Sequence, residues 1–303
     1  MPSRNGRGGR ESFTDALGAG RLVLDGGLAT ELEARGHDLS GQLWSAGLLA
    51  GDPDAIVDVH LAYFRAGARV ATTASYQASV DGFARAGVDR PDAEALILRS
   101  VELAAAARDR AESDRSLFVA ASVGPYGATL ADGSEYTGDY DLDIAGLRRF
   151  HRPRLELLAS AGADVLAVET LPCLAEVEAV LRELDRLGDV PAWLSLTCAD
   201  GRTRRGEDPA EAFAMVRDVP SVVAVGLNCT APGEIEALIP AAAAAERPVL
   251  VYPNSGEAWD ARRRNWTGVG GFSVGQVRLW AATRVAAVGG CCRVGPDAIE
   301  LIA

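Results

Sequence analysis

The sequence predicts a single (β/α)8 barrel, an α/β fold in which eight parallel strands alternate with helices. The chain has 303 residues, a common length for one such barrel, and 48% of them are hydrophobic, enough for a large core. Short apolar runs alternate with longer amphipathic segments along the whole chain. Most of the runs lack a strict apolar and polar alternation, which is typical of parallel strands covered on both faces.

The strands are predicted where short apolar runs occur between turn residues. In chain order they cover residues 21–25, 70–74, 117–123, 164–169, 192–197, 222–228, 248–253 and 285–289. Each run has the length of an ordinary strand. Eight such runs separated by helical segments indicate a closed parallel barrel.

The helices are predicted in the longer amphipathic segments between these runs. They cover residues 54–66, 92–112, 144–161, 174–187, 209–216, 232–245 and 275–282. Pro209 and Pro232 fit the first turn of a helix, where the missing N–H costs nothing. We therefore expect one barrel domain over residues 13–303, preceded by a disordered tail over residues 1–12.

Charge and composition narrow the class of partner. The formal net charge is -12 and the pI is about 4.8, which disfavours nucleic acid and acidic membrane surfaces as partners. Residues 1–10 are rich in Arg and Gly but no apolar stretch follows, and no run of apolar residues is long enough to span a membrane. Five cysteines without disulfide-scaffold density fit a reducing compartment. These features predict a cytoplasmic enzyme for small molecules, as a monomer or a small homo-oligomer.

The absence of lysine excludes several chemistries. All 30 basic residues other than histidine are arginines. Without lysine, no Schiff base forms with a carbonyl substrate or with pyridoxal phosphate, and no P-loop lysine can bind a nucleotide. Barrel enzymes of the lysine aldolase kind are therefore ruled out.

Polar residues cluster where the predicted strands end, and that rim carries the active site in this fold. These rim residues are Asp25, Gly26, Gly27, Ser75, Tyr76, Glu169, Asn228, Cys229, Asn254, Cys291 and Cys292. We expect them to form the catalytic and substrate-binding site.

Three of the five cysteines, Cys229, Cys291 and Cys292, follow strands 6 and 8. A structural zinc site normally has four protein ligands, whereas a catalytic site keeps three and leaves one position open. The spacing alone leaves a metal site and buried or redox-active thiols as equal alternatives, because it is not that of a zinc finger. Convergence of the adjacent pair requires a backbone turn, for which Gly289 and Gly290 offer freedom.

Placing the three cysteines on one barrel rim favours the metal hypothesis. Three thiolates would make zinc a poor activator of water but a suitable partner for a substrate thiol. Cys173 and Cys198 are predicted to be packing residues, because free cysteine often behaves as a small hydrophobe. His60 and His151 lie in amphipathic helices and are predicted to be structural.

Motifs spread over nearly the whole chain resemble the homocysteine S-methyltransferase family, in the branch that uses S-methylmethionine or S-adenosylmethionine. The matching stretches are LDGGLATELEARG from Leu24, LWSA from Leu43, TASYQAS from Thr73, SVGPYGATLADGSEYTGDY from Ser122, ETLP from Glu169, VGLNCTAP from Val225, VYPNSGE from Val251 and GGCC from Gly289. The most specific element is GGCC combined with an upstream strand that ends in Asn-Cys.

The resemblance implies Zn2+ held by Cys229, Cys291 and Cys292, with the homocysteine sulfur as the incoming ligand. It also suggests Asp25 and Glu169 as partners of the homocysteine ammonium. The alternatives are an aspartate that caps the next helix and a glutamate that pairs with an arginine.

The remaining rim residues are predicted to contact the substrate, without a specific chemical role for each. Gly26 and Gly27 would let backbone N–H groups approach the substrate carboxylate, although a tight turn alone would explain them. Ser75, Tyr76, Asn228 and Asn254 are further predicted substrate contacts.

The sulfonium donor carries a positive charge that aromatic faces attract. Trp44, Tyr76, Tyr126 and Tyr252 are the candidates near the rim, with core packing as the alternative for each. Residues 262–264 form an arginine run that is predicted to be a solvated loop, with a lid over the donor as the alternative.

Two other classes remain open. One is a homocysteine-activating subunit of a corrinoid-linked methyltransferase, which would need cobalamin modules on separate chains. The other is a thiol-based zinc or redox sensor. The sequence does not choose between the two sulfonium donors, nor between homocysteine and selenohomocysteine as the acceptor.

Overall fold

A computed structural model of the chain describes residues 11–39, 44–260, 265–283 and 285–303. Eight parallel strands form its central sheet. They are β1 (Leu22–Val23), β2 (Val70–Thr72), β3 (Phe118–Val123), β4 (Val165–Leu171), β5 (Ala192–Leu196), β6 (Val222–Asn228), β7 (Val249–Tyr252) and β8 (Val285–Val288). Every predicted strand is present, with ends that shift by a few residues.

The sheet closes into a barrel. Around the sheet the strands follow the order β1, β8, β7, β6, β5, β4, β3, β2, and a parallel bridge between Leu24 and Val70 joins the two ends. The observed β1 ends at Val23, two residues before the predicted end, because Leu24 pairs through this single bridge. The predicted (β/α)8 fold is confirmed.

Helices surround the barrel. They are α1 (Phe13–Ala19), α2 (Leu28–Ala34), α3 (Leu48–Gly51), α4 (Pro53–Arg65), α5 (Val80–Arg85), α6 (Arg90–Arg110), α7 (Ile144–Ser160), α8 (Leu174–Leu187), α9 (Pro209–Met215), α10 (Pro232–Ala243), α11 (Val274–Ala281) and α12 (Pro296–Glu300). All seven predicted helices are present, and Pro209 and Pro232 occupy first turns. The five shorter helices α1, α2, α3, α5 and α12 were not predicted.

The barrel has separate inner and outer cores. The inner core contains residues such as Phe118, Val165, Trp193 and Leu250, whereas the other side chains of the same strands pack under the helices. Successive side chains of a strand point to opposite faces, so each strand contributes to both cores. This explains why the strands are apolar on both faces.

Helix α1 closes the amino-terminal end of the barrel. Ser12 caps it by accepting a hydrogen bond from the Asp15 N–H. The Phe13 ring packs on the Phe118 and Trp193 rings, with centroids 5.8 and 5.7 Å away. The predicted domain boundary at residue 13 stays a prediction, and residues 1–10 of the predicted tail lie outside the described residues.

No helix among the described residues is both long enough and apolar enough to cross a membrane. The arginine run at residues 262–264 lies outside the described part of the chain.

Helices α7 and α8 are joined by a charged cluster around the buried Glu183 carboxylate. Arg148, Arg152 and Arg186 donate to it at 2.7 to 3.0 Å. Burial raises the pKa of Glu183, but the hydrogen bonds from the three arginines outweigh it and lower the pKa from 4.5 to about 2.

This cluster predicts acid-sensitive stability. A carboxyl whose pKa is lower in the folded protein stabilises it above the unfolded pKa, and the contribution disappears as the pH falls from about 4.5 to 2. Glu183→Gln should lower the free energy of unfolding by about 2 kcal/mol at pH 7. This is less than the roughly 3–5 kcal/mol typical of breaking a fully buried ion pair, because solvent screens the partly exposed arginines. Urea denaturation should show a smaller difference at pH 3. The exposed pair partner Glu178 offers a control, because Glu178→Gln should change stability by less than about 0.5 kcal/mol at either pH.

Candidate active site at the carboxyl ends of the strands

A cavity opens at the carboxyl ends of the barrel strands. Its volume is about 130 Å³, whereas a single water needs roughly 10–15 Å³, so it accommodates a small ligand. Among the predicted site residues, those that line it are Asp25, Gly26, Gly27, Tyr76, Glu169, Cys229, Cys291 and Cys292. The structure therefore brings most of the predicted site together.

The inner face of the barrel becomes polar near this cavity. In β3, the side chains of Phe118 and Ala120 point into the barrel interior. Ser122 is the next inward-pointing residue along that strand and lies nearer the cavity. In the same alternation, Val165 and Ala167 of β4 are followed by Glu169. Ser122 donates to the Glu169 carboxylate, with 2.5 Å between Oγ and Oε1. The period of two in each strand thus aims Glu169 into the cavity.

The three predicted cysteine ligands meet at one point of the rim. Their Sγ atoms all lie within 4.8 Å of one another. The Cys292 Sγ lies 3.7 Å from that of Cys229 and 3.9 Å from that of Cys291. Zn–S bonds of about 2.3 Å at tetrahedral angles separate two sulfurs by about 3.8 Å, so these two separations suit a shared zinc ion.

In the structure, Cys229 and Cys291 are paired as a disulfide, with Cα atoms 5.7 Å apart. This differs from the expected three free thiolates. The physical reason is that sulfurs held this close can bond to each other as well as to a metal. Only the reduced protein offers three thiolates, so a metal held by all three sulfurs would require reduction of this pair.

Burial raises the pKa of the Cys292 thiol to about 12, although a hydrogen bond from Tyr136 acts in the opposite direction. At neutral pH this thiol therefore stays protonated unless a cation binds to it. The donor set and its surroundings fit a thiolate-bound metal.

Strained backbone shapes the rim next to the sulfurs. Thr170 and Cys229 have positive φ angles of 64° and 46°, which non-glycine residues rarely adopt. Asn228 stabilises this arrangement: its Oδ1 accepts from the Thr170 N–H at 2.8 Å, and its Nδ2 donates to the Thr170 Oγ1 at 2.7 Å. Asn228 thus fixes the backbone next to Cys229, a role that sequence reasoning did not assign.

Asp25 lies at the cavity with its carboxylate partly satisfied. It accepts from the Thr72 N–H at 2.6 Å and from the Thr72 hydroxyl at 2.9 Å. Burial raises its pKa to about 8, while the Thr72 hydrogen bonds lower it and the Glu169 charge raises it further. It does not cap the following helix, whose N-cap is Gly27 without a side-chain hydrogen bond.

Glu169 is similarly buried. Burial raises its pKa to about 7, against hydrogen bonds from Ser122 and Tyr252 that lower it. Among the described residues, none of its hydrogen-bond partners is an arginine, so the alternative of a structural ion pair is not what the structure shows. The pKa values of both carboxyls in this cavity lie near neutral pH. A cationic ligand bound there would favour their charged forms.

The glycines serve close packing. A Cβ on Gly26 would come within 2.2 Å of the Val294 oxygen, and one on Gly290 within 2.2 Å of the Val294 side chain. The N–H of Gly27 donates to the Val294 oxygen at 2.9 Å and is therefore already used. Gly289 and Gly290 are not in the left-handed region among the described residues, so they turn the chain by allowing close approach.

Three other predicted contacts do not line the cavity. The Ser75 hydroxyl donates to the Ser122 oxygen at 2.7 Å, and the Asn254 Oδ1 accepts from the Gly256 N–H at 2.9 Å. Asn228 is engaged with Thr170, as described above. A direct substrate contact by any of these residues stays a prediction.

The aromatic candidates separate into two groups. Tyr76 and Tyr252 line the cavity. The Tyr126 ring packs edge-on against Tyr140 and Phe150, with centroids 5.4 and 5.0 Å away, and does not line it. The side chain of Trp44 lies outside what the structure describes.

The other cysteines and histidines lie away from the sulfur cluster. Cys173 and Cys198 are buried, as predicted for packing residues. His60 and His151 are also buried, and His151 contacts Glu176 at 2.8 Å. None of these four belongs to the cluster of potential metal ligands found among the described residues.

Sequence reasoning missed residues from the loop between β3 and α7. Glu135 and Tyr136 line the cavity, and the Tyr136 hydroxyl faces the Cys292 thiol. The Arg204 guanidinium lies over the Tyr136 ring at 5.3 Å and donates to the Cys229 oxygen at 3.1 Å. Glu135 and Tyr136 belong to the SEYTGDY motif, which resembles the family. A loop, however, has no periodicity that shows which of its side chains face the site.

A barrel with three convergent cysteine sulfurs, which could hold a metal ion, and two buried carboxyls at its rim has the features of an enzyme active site. The family profile described as Homocysteine S-methyltransferase matches residues 22–303. The chain belongs to the homocysteine S-methyltransferase family.

Relatives support this assignment over nearly the whole chain. The Homocysteine S-methyltransferase of Escherichia coli (strain K12) is 46% identical over 290 residues, covering 93% of this chain and 94% of that protein. The crystal structure of the homocysteine methyltransferase MmuM from Escherichia coli in its metallated form has a TM-score of 0.84 at 43% identity, covering 93% and 95% of the two chains. The oxidised form of the same protein also has a TM-score of 0.84 at 43% identity, with 93% and 94% covered.

Proposed function

We propose that this protein transfers a methyl group from a sulfonium donor, S-methylmethionine or S-adenosylmethionine, to the thiolate of homocysteine in a zinc-dependent reaction. The observation that carries the proposal is the position of three sulfurs and two buried carboxyls in one cavity. Homocysteine has both a thiol and an ammonium, which match these two groups of residues.

The acceptor would bind with its ammonium at Asp25 and Glu169. Burial makes both carboxyls hold protons near neutral pH, and an ammonium would favour their charged forms. Thr72 and Ser122 keep the two carboxylates in place through hydrogen bonds. Each carboxylate oxygen has more than one lone pair and can accept from the ammonium as well.

Cys229, Cys291 and Cys292 would hold the metal, which supplies a Lewis acid that favours the deprotonated form of the substrate thiol. Tyr136 and Asn228 orient two of these ligands. Because the thiol proton leaves on binding, the transfer step needs no general base from the chain.

The donor would lie on the open side of the cavity, against Tyr76 and Tyr136. The aromatic faces of these residues attract a sulfonium by roughly 0.5 to 2 kcal/mol each. The homocysteine sulfur forms a bond to the methyl carbon, and the electron pair of the breaking S–CH3 bond goes to the donor sulfur. With S-methylmethionine, both products are methionine.

A donor panel tests this proposal. Reduced, zinc-loaded protein is given homocysteine with S-methylmethionine, S-adenosylmethionine or methylcobalamin, and methionine is measured. We expect turnover with at least one sulfonium and none with methylcobalamin. Turnover with methylcobalamin alone would identify the corrinoid-linked alternative.

The Cys229–Cys291 disulfide favours one other function, that of a thiol-based zinc or redox sensor. Zinc content measured with and without homocysteine separates the two. A sensor has no reason to bind the thiol of an amino acid, whereas the enzyme should show tighter homocysteine binding when zinc is present.

A further inference from the structure

Glu135 is a buried carboxylate at the edge of the cavity, and it has no cationic partner within the described ranges of the chain. It lies in the short 3-10 turn Ser134–Tyr136 and is 5% exposed. Its Oε2 has no hydrogen-bond partner among the described residues. We infer that Glu135 binds the α-ammonium of the methyl donor and so selects donors that are amino acids; this inference rests on the sulfonium donor proposed above.

Two buried acids that do not line the cavity have partners on the chain itself. Glu176 contacts His151 at 2.8 Å, and Glu183 is surrounded by three arginines. A buried carboxylate without such a partner is costly, and burial raises the pKa of Glu135 to about 7. Among the described residues that line the cavity, none is basic. A ligand is therefore the available source of a compensating cation.

Two ammonium groups, one from each substrate, have to be placed among the three acids of the cavity. Homocysteine brings one ammonium, and the donor brings one ammonium and one sulfonium. The cavity has the carboxyls of Asp25, Glu169 and Glu135. Asp25 and Glu169 lie close enough to influence each other and serve the acceptor, which leaves Glu135 for the donor.

Glu135 lies in the part of the cavity where the methyl donor is proposed to bind. Its neighbour Tyr136 faces the Cys292 thiol, so the turn lies next to the sulfur cluster. The donor methyl has to come within roughly 3–3.5 Å of the attacking sulfur, which places the donor beside the cluster as well. Glu135 therefore lies where it could contact the donor ammonium, which is a few bonds from the reacting sulfonium.

The reaction itself decides which donor cation Glu135 should hold. The sulfonium charge disappears as the methyl group is transferred, so a carboxylate beside it would stabilise the substrate more than the transition state. The ammonium keeps its charge throughout and can be held without this penalty. The polarisable faces of Tyr76 and Tyr136 are better suited to the sulfonium.

The test compares Glu135→Gln with the wild type, using S-methylmethionine and dimethylsulfoniopropionate, a sulfonium carboxylate without an amino group. We expect Glu135→Gln to raise the KM for S-methylmethionine about 10- to 100-fold, the effect of losing a charge-assisted hydrogen bond. The KM for homocysteine should not change. Dimethylsulfoniopropionate should be a poor donor for the wild type and lose little more in the variant.

Asp139→Asn is the matched control, because this acid is exposed on the same loop and pairs only at the surface with Arg205. It should keep wild-type KM values for both substrates. Glu135→Gln should melt at or above the wild-type temperature, since it removes a buried charge without a partner. If it does not fold, Glu135→Asp, which retracts the charge by one carbon, should still raise the donor KM selectively.

Three results would overturn the inference: an increased KM for homocysteine with an unchanged donor KM, no change in either, or equal losses with both sulfonium compounds. The last of these would assign Glu135 to the sulfonium. Failure of the proposed function is a separate result, because the wild type itself would then show no turnover with S-methylmethionine or S-adenosylmethionine.

Discussion

Cys292→Ser should fail to bind the proposed metal tightly and should lose about a thousandfold or more of the methyltransferase activity. A serine hydroxyl does not ionise near neutral pH and is a poor zinc ligand, which leaves two sulfurs where a catalytic site has three protein ligands. Loss of Lewis acid assistance of several kcal/mol corresponds to a rate change of this order. The reduced wild type should hold about one zinc per chain.

The measurements are metal content after gel filtration under reducing conditions, turnover with homocysteine, and the melting temperature. The fold should persist, because the barrel core is formed without the metal. Cys173→Ser is a matched control: Cys173 is the N-cap of α8, a position where serine is favoured. This control should keep both metal and activity. A Cys292→Ser protein with wild-type turnover after metal removal would contradict the assignment.

The disulfide adds a second arm to the same experiment. Oxidised wild type should bind little zinc, because two of its three sulfurs are bonded to each other. Treatment with a thiol reductant should restore both metal binding and turnover. Oxidised protein that binds zinc as well as the reduced form would show that the metal is held elsewhere.

The strands of the barrel could be predicted because local apolar runs determine where a parallel strand forms. Their ends were less accurate, since pairing with a neighbour decides them: β4 extends to Leu171, where it pairs with Leu196 of β5. Helix α1 was not predicted. Its place is set by Phe13 packing on Phe118 and Trp193, which are more than a hundred residues away along the chain.

The structure brings to the cavity several of the predicted residues that lie at the carboxyl ends of strands. Glu169 and the three cysteines reach the cavity because the carboxyl ends of parallel strands meet at one rim. Long-range contacts redirect other residues: Asn228 is turned toward Thr170, and Ser75 toward the Ser122 oxygen. Glu135 could not have been found this way, because its position depends on how a loop folds back over the rim.

Asp25→Asn and Glu169→Gln should each weaken homocysteine binding by about 1.5 to 3 kcal/mol, roughly 10- to 150-fold, if these carboxylates hold the ammonium. Both changes keep the shape of the side chain and remove the charge. Thermal stability should stay the same or rise. Because burial raises the folded-state pKa of both groups to about 8 and about 7, their ionisation opposes folding near neutral pH.

The same pKa shifts predict the pH dependence of ammonium binding. A carboxyl that holds its proton near neutral pH must release it to pair with an ammonium, so affinity should increase as the pH rises through about 7 to 8. Norleucine, an amino acid without a thiol, reports this step by calorimetry because no sulfur ionises with it.

Thiol acceptors without an amino group provide the control for the two variants. They should be poor substrates of the wild type and lose little further in Asp25→Asn or Glu169→Gln, because the interaction that the variants remove is absent. If both variants kept the wild-type homocysteine KM and instead melted at a lower temperature, the two carboxyls would be structural. Glu135 would then be the remaining acid in the described cavity for the acceptor ammonium, and the division of the two substrates between the acids would have to be reversed.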